Sequence, residues 1–260
     1  MNSGLIIILY IIYFLFGASI GSFLNVLIYR LARGISIITP NSFCPNCKKP
    51  IKWYQNIPVI SFIFLKGRCA ECHKPISMHY PMVEIIMGCL FIYLLNKYSL
   101  NFEFFFYLFF FSSLIVISGI DFSFQIIPDI ISIPGIVIGL VFQIIKGNFL
   151  LGLIGMFFGG GLILLIRVIG GWVYKKEVMG LGDVYLTAMI GAFVGFPFII
   201  PSIFIAALIG TMLGIVYIVS THQSRESPMP FGPFLSASGI LVIILQPQII
   251  RMFAILGVYL

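Results

Sequence analysis

The chain has three aspartates, Asp121, Asp129 and Asp183, and two of them stand where chemistry is plausible. Asp183 follows two glycines in Gly180-Leu181-Gly182-Asp183, behind the charged Lys175-Lys176-Glu177 and ahead of an apolar run. Asp121 closes another apolar run, in "ISGIDFSFQIIPD". Carboxylates bordering hydrocarbon are costly, so each calls for a reason. Two that emerge at one depth in partly dry surroundings can share a proton, because their repulsion opposes ionising both. The ionised one then acts as base toward a water, while the protonated one polarises a carbonyl, the division of labour by which paired carboxylates hydrolyse an amide. Gly180 and Gly182 allow a close backbone approach or a turn that a side chain would block.

Plainer readings stand beside these. Asp183 could simply cap the helix of "VYLTAMIGAFVG", and Asp121 could be a polar residue at a span end. For Asp129, just after Pro128 at a helix start, the main role expected is to complement the helix dipole. Glu84, in "YPMVEIIMGC", has two readings: an interfacial residue reaching for water, or a group lining the cavity around the aspartates. Glu177 balances Lys175 and Lys176.

A second constellation is built of sulfur. Cys44-Pro-Asn-Cys47 and Cys69-Ala-Glu-Cys72 are two Cys-x-x-Cys pairs separated by 21 residues. Each can form a hairpin knuckle, and two knuckles can close a tetrahedral four-thiolate zinc site with no position left for water. The alternatives are two disulfides or a redox pair. A basic loop belongs in the reducing cytosol, where stable disulfides are rare, and this favours zinc. The metal would also stabilise a polar segment of about fifty residues that is too short for much of a core. His73 and His79 read as surface residues, and Cys89 as a small apolar residue within a span.

The elements that must position these groups follow from composition. The chain has 260 residues, 60% of them hydrophobic and 9% charged, with mean hydropathy +1.14. So few polar residues cannot coat a soluble domain, so the fold class is an all-α polytopic membrane protein. Apolar stretches predict about eight spans, at roughly 4–29, 81–99, 103–121, 127–145, 149–171, 184–197, 199–220 and 232–256. The division between Pro197 and Pro201 is the least defined of these boundaries. The expected domains are a first transmembrane helix (1–29), a cytoplasmic cysteine domain (30–80) and a membrane domain bearing the aspartates (81–260). No positive charge precedes the first apolar run, which suits a retained anchor rather than a cleaved signal.

The formal charge is +7, and its distribution carries more than its total. Eight lysines and arginines fall between Arg30 and Tyr80; Lys175, Lys176 and Arg225 lie in two further loops. The positive-inside bias makes these loops cytoplasmic and puts both termini outside. Asp121 and Asp183 then share the cytoplasmic edge of the bilayer. The surplus reads as topology, with contact to anionic lipid secondary. Scattered over loops, it does not suit nucleic acid.

Five stretches, in order, resemble the type IV prepilin peptidases: "GASIGSFLNVLIYRL" (17–31), the cysteine block from Ser42 to Glu84, "GIDFSFQIIPDIISIP" (119–134), "MGLGDVYLTAMIGAFVG" (179–195) and "PMPFGPFLSASG" (228–239). The resemblance implies a catalytic pair of Asp121 and Asp183. It also implies a prepilin or pseudopilin substrate cut after a glycine at the inner face of the cytoplasmic membrane. Methylation of the new amino terminus from S-adenosylmethionine follows from the resemblance alone, since no glycine-rich cofactor motif is readable. The cysteines favour the bifunctional type. Tyr185 departs from the family, which commonly has lysine there.

Three rival classes fare worse. A transporter or proton relay would place carboxylates near mid-membrane and show repeated halves. A zinc-knuckle adaptor leaves the spans and the paired acids without a purpose. A zinc metallopeptidase lacks His-Glu-x-x-His, and four cysteines would saturate its metal.

Overall fold

The computed structural model describes residues 3–221 and 230–255. Arg225 and the extreme ends of the chain, on which part of the topology expectation rests, lie outside them. The described residues form helices and no strand, as expected. The chain divides into two compact units, Met1–Val116 and Ile117–Leu260.

In the first unit, α1 (Ser3–Leu31) packs along α3 (His79–Tyr98). The reason lies in Gly17-Ala18-Ser19-Ile20-Gly21, whose glycines are four apart and fall on one helix face. A Cβ on Gly17 would lie 2.9 Å from the Gly88 Cα, and one on Gly21 2.8 Å from the Glu84 Cα. Small residues at this spacing let helices approach closely in lipid, where dispersion contacts replace the hydrophobic effect. The cysteine segment between them contributes a 3₁₀ turn (Trp53–Asn56) and a short α2 (Ile60–Phe64). Asn25 Nδ2 of α1 donates to the Tyr80 carbonyl in the first turn of α3 at 3.0 Å, joining the two helices. The segment between them is tied to α3 where the Val59 N–H donates to Glu84, and to α1 through Arg30. The buried Arg30 guanidinium donates to the carbonyls of Ser36, Pro40 and Asn41. α4 (Phe102–Phe124) begins in this unit and ends in the second.

The second unit continues with α5 (Asp129–Ile145), α6 (Phe149–Tyr174), α7 (Leu181–Val194), α8 (Ile199–Thr221), α9 (Gly232–Ile244) and α10 (Gln246–Ile255). Its centre is α7, buried along almost its whole length and contacted by α5, α6, α8 and α9. Gly155 of α6 and Gly191 of α7 touch backbone to backbone, leaving no room for a Cβ on either. Lipid-facing positions carry large apolar side chains such as Phe157 and Phe204, the inverse of a soluble surface.

All eight apolar segments are helical. α1, α3, α4, α6 and α8 are long and apolar enough to cross a membrane. The described part of the 232–256 segment is two helices, α9 and α10, bent by 74°, and counts as a sixth if taken as one span. α5 and α7 are shorter, at 17 and 14 residues. At about 1.5 Å per residue, α7 extends roughly 21 Å, and being enclosed by protein it need not match the hydrocarbon thickness. The break before α8 occurs at Gly195, whose φ of 74° leaves the helical region.

Candidate active site

Asp121 lies in the last turn of α4, which stops when Gln125 turns left-handed (φ 55°) while its N–H donates to the Asp121 carbonyl at 2.8 Å. Its side chain is buried, 5% exposed, and one oxygen, Oδ2, accepts the Gly232 N–H at 2.9 Å. Gly232 is the first residue of α9, so this carboxylate satisfies one of the unpaired amides that every helix start presents. A Cβ on Gly232 would stand 2.6 Å from the same oxygen. A glycine is therefore required there. That role was not foreseen; Gly232 sits in the quoted stretch "PMPFGPFLSASG" between Phe231 and Pro233, where it resembles an ordinary helix start.

Asp183 is not the residue that begins α7. Gly180 occupies the cap position, the helix starts at Leu181, and Asp183 is third within it. Its Oδ2 reaches back to accept the Gly180 N–H at 3.2 Å, half of a reciprocal capping arrangement, since glycine has no side chain to return the bond. Its Oδ1 is buried and has no hydrogen-bond partner among the described residues. Capping thus occupies only one of the two oxygens of this carboxylate. Asp121 belongs to the same unit and lies within electrostatic reach of Asp183.

Gly182 sets that approach. A Cβ on it would come 2.6 Å from the Ile127 Cβ, in the connection that leaves Asp121 for α5. Glycine here lets the first turn of α7 press against the chain that follows the other aspartate. Within α7 the Thr187 hydroxyl donates to the Asp183 carbonyl at 2.7 Å, keeping that turn satisfied in its buried setting. Asp129 is exposed in the first turn of α5, after Pro128. Tyr185 is partly exposed on α7. Glu84 belongs to the first unit, where its Oε2 accepts the Val59 N–H at 2.7 Å. Val59 has φ 61°, unfavourable for a β-branched residue, and this bond helps hold it.

The cysteines form two copies of one knuckle. Cys44 N–H donates to Lys49 and Lys48 N–H to Cys44; 25 residues on, Cys69 N–H donates to Lys74 and His73 N–H to Cys69. Lys48 and His73 are both left-handed, at φ 61° and 56°. The sulfurs of Cys44, Cys47, Cys69 and Cys72 all lie within 4.8 Å of one another, and Cys44 and Cys72 are 3.9 Å apart, unbonded. Tetrahedral Zn–S bonds of about 2.3 Å put sulfurs roughly 3.8 Å apart, so the donor set fits a single such metal. The N–H groups of Cys72 and Glu71 pull the Cys69 thiol down to about 7, while burial and the neighbouring thiols push Cys72 up to about 11. Lys49 of the first knuckle pairs with Glu71 of the second at 2.7 Å. His73 and His79 are not in the cluster.

Fold and site together define a polytopic helical membrane protein with a buried carboxylate pair in one unit and a four-thiolate module in the other. Comparison with known proteins gives the class its family. Residues 15–98 match the bacterial peptidase A24 N-terminal domain, and residues 108–215, which include both aspartates, match the type IV leader peptidase family. Proteins named prepilin leader peptidase/N-methyltransferase are similar over much of the chain. The one from Aeromonas hydrophila is 30% identical, covering 92% of each chain, and the one from Pseudomonas aeruginosa is 30% identical, covering 92% of this chain and 91% of its own. The Myxococcus xanthus protein is 34% identical over 81% of this chain and 64% of its own. No solved structure matches significantly. The chain belongs to the type IV leader peptidase family and is an enzyme, a peptidase by family.

Proposed function

We propose that this protein is a membrane aspartic endopeptidase that removes the leader from type IV prepilins or pseudopilins, with Asp121 and Asp183 as the catalytic dyad. The observation that carries this reading is the buried pair itself: each carboxylate is held by one backbone N–H on one oxygen, and Asp183 Oδ1 has no partner among the described residues. With one proton between them, the ionised carboxylate takes a proton from water and the protonated one polarises the peptide carbonyl. The resulting tetrahedral species returns a proton to the leaving amine. Gly180, Gly182 and Gly232 act through backbone placement, Asp129 through the dipole of α5, and Glu84 through the first unit. The dyad would face the cytoplasmic edge of the inner membrane, where the bond after a glycine joins a basic leader to a hydrophobic helix. Topology and domain limits (1–29, 30–80, 81–260) are part of the same proposal.

Zinc held by Cys44, Cys47, Cys69 and Cys72 would be structural, since four thiolates complete its coordination. The relatives' names support a second activity, N-methylation of the new amino terminus. S-adenosylmethionine would supply an electrophilic methyl: the amine lone pair forms the C–N bond, the S–CH₃ electrons return to sulfur, and the amine proton leaves to water. The test is incubation with a prepilin peptide in detergent, with and without S-adenosylmethionine, followed by mass measurement. Loss of the leader, then gain of one methyl only when the donor is present, is the expected pair of results; an intact peptide in both would reject the reading.

A further inference from the structure

Among the described residues of the second unit, two buried side-chain oxygens have no hydrogen-bond partner, Asp183 Oδ1 and Ser236 Oγ. The first belongs to the carboxylate pair. The second, on α9, has no part in the proteolytic chemistry. Ser236 is 2% exposed, and the large majority of buried polar side chains are paired, so a hydroxyl left alone calls for a reason. Other hydroxyls in this unit bond within their own helices. Ser132 and Thr187 donate to the carbonyl four residues earlier, and Ser238 to the one three residues earlier. Ser236 makes no such bond. Its direction follows from α9. Gly232 and Ser236 are four residues apart and share a helix face, and a Cβ on Gly232 would stand 2.6 Å from the Asp121 carboxylate. Ser238, two residues on, meets Ser202 of α8 at 3.1 Å. Two residues are roughly 200° of helix turn, which points Ser236 away from α8. It therefore sits about 6 Å along α9 from the amide that holds Asp121, on the face turned toward that aspartate. α9 also packs against α7, the helix of Asp183.

We propose that Ser236 is a substrate-binding residue: its hydroxyl accepts a hydrogen bond from a backbone N–H in the first turn of the substrate's hydrophobic helix. The inference rests on the peptidase reading above. The bond to be cut lies where the leader gives way to that helix, and the first N–H groups of any helix have no internal partner. Next to hydrocarbon such groups are costly to leave unpaired, and a hydroxyl with free lone pairs supplies the acceptor. The basic side chains of the leader fit this position less well, because a carboxylate rather than a neutral hydroxyl is their matching partner. Asp183 Oδ1 is closed to solvent in the same way as Ser236 Oγ, so a substrate that reaches the carboxylates must open the structure in any case.

The experiment measures KM and kcat for leader removal from a prepilin peptide by the full-length, zinc-loaded wild type and Ser236→Ala in detergent. A bond made equally before and during the reaction shows in KM alone. For Ser236→Ala, KM should rise about fivefold while kcat stays within about twofold. The thermal midpoint should not fall, since a hydroxyl without an internal partner can be removed at no loss to the fold. Ser238→Ala, which loses the contact with Ser202, should show the reverse, a lower midpoint with KM unchanged. An unchanged KM for Ser236→Ala, a fall in kcat alone, or a lower midpoint overturns the proposal. A second arm does not depend on how any variant folds. Peptides with a single ester in place of the amide at the second, third or fourth residue after the cut each lack one N–H. One of the three should raise the wild-type KM about fivefold and add nothing further in Ser236→Ala. No effect at any of the three positions, or full additivity with Ser236→Ala, overturns the contact. A wild type that leaves the unmodified peptide whole overturns the peptidase reading instead, so the two failures are distinguishable.

Discussion

At the scale of single residues, the site depends on how each carboxylate spends its two oxygens. Asp183 gives one to the Gly180 N–H, and its other is buried with no partner among the described residues; Asp121 gives one to the Gly232 N–H. Fixing one oxygen orients the other, and orientation matters because a displacement of about 1 Å can cost a hundredfold in rate. Gly232→Ala would force a methyl to within 2.6 Å of the Asp121 carboxylate. Leader cleavage by that variant should fall by about a hundredfold, measured by mass spectrometry, while zinc content stays at the wild-type level. Asp129→Asn should keep most of the activity, because an exposed charge at a helix start contributes only about 0.3–1 kcal/mol. Complete loss without misfolding would give Asp129 a larger part than this account does.

At the scale of elements, the first turn of α7 is held in place by what Gly182 lacks. Gly182→Ala should impair cleavage by pushing against Ile127, and the companion change Ile127→Ala should recover part of it. Additive losses in that double-mutant cycle would mean that the two positions do not act through their contact. The twin knuckles invite a separate measurement. Purified protein should carry about one zinc per chain. Chelation should release it and make the segment around residues 42–76 sensitive to protease, since metal binding and folding of so small a module are linked. Undetectable metal would reject the four-thiolate site.

At the scale of the whole molecule, much was legible because the signals are local. Two Cys-x-x-Cys pairs announce knuckles within a few residues, and long apolar runs announce helices. Gly180-Leu181-Gly182-Asp183 and the Asp121 segment display in their own residue types the acids proposed as the dyad. What was not legible depends on partners distant in sequence. Gly232 acquires its role only because α9 starts against Asp121, 111 residues away. Glu84 bonds to Val59, 25 residues earlier, in a segment with no feature that points to it. The start of α7 was misjudged by three residues, because an aspartate third in a helix and one at its cap look alike in sequence. The bend after Leu245 did leave a sign, Pro247, which cannot continue a preceding helix, yet uniform apolarity outweighed it.

Topology is testable at the same scale. In intact cells, a membrane-impermeant maleimide applied from outside should leave the knuckle cysteines unlabelled, and should reach them only after the membrane is opened and zinc removed. Labelling from outside would invert the orientation.

The central claim is that Asp121 and Asp183 form a single catalytic centre. It is tested most directly by incubating a prepilin peptide with purified Asp121→Asn and Asp183→Asn proteins and weighing the products. The account predicts that the wild type releases the leader while each variant, inserted and zinc-loaded, leaves the peptide whole. Cleavage retained by either variant would contradict it.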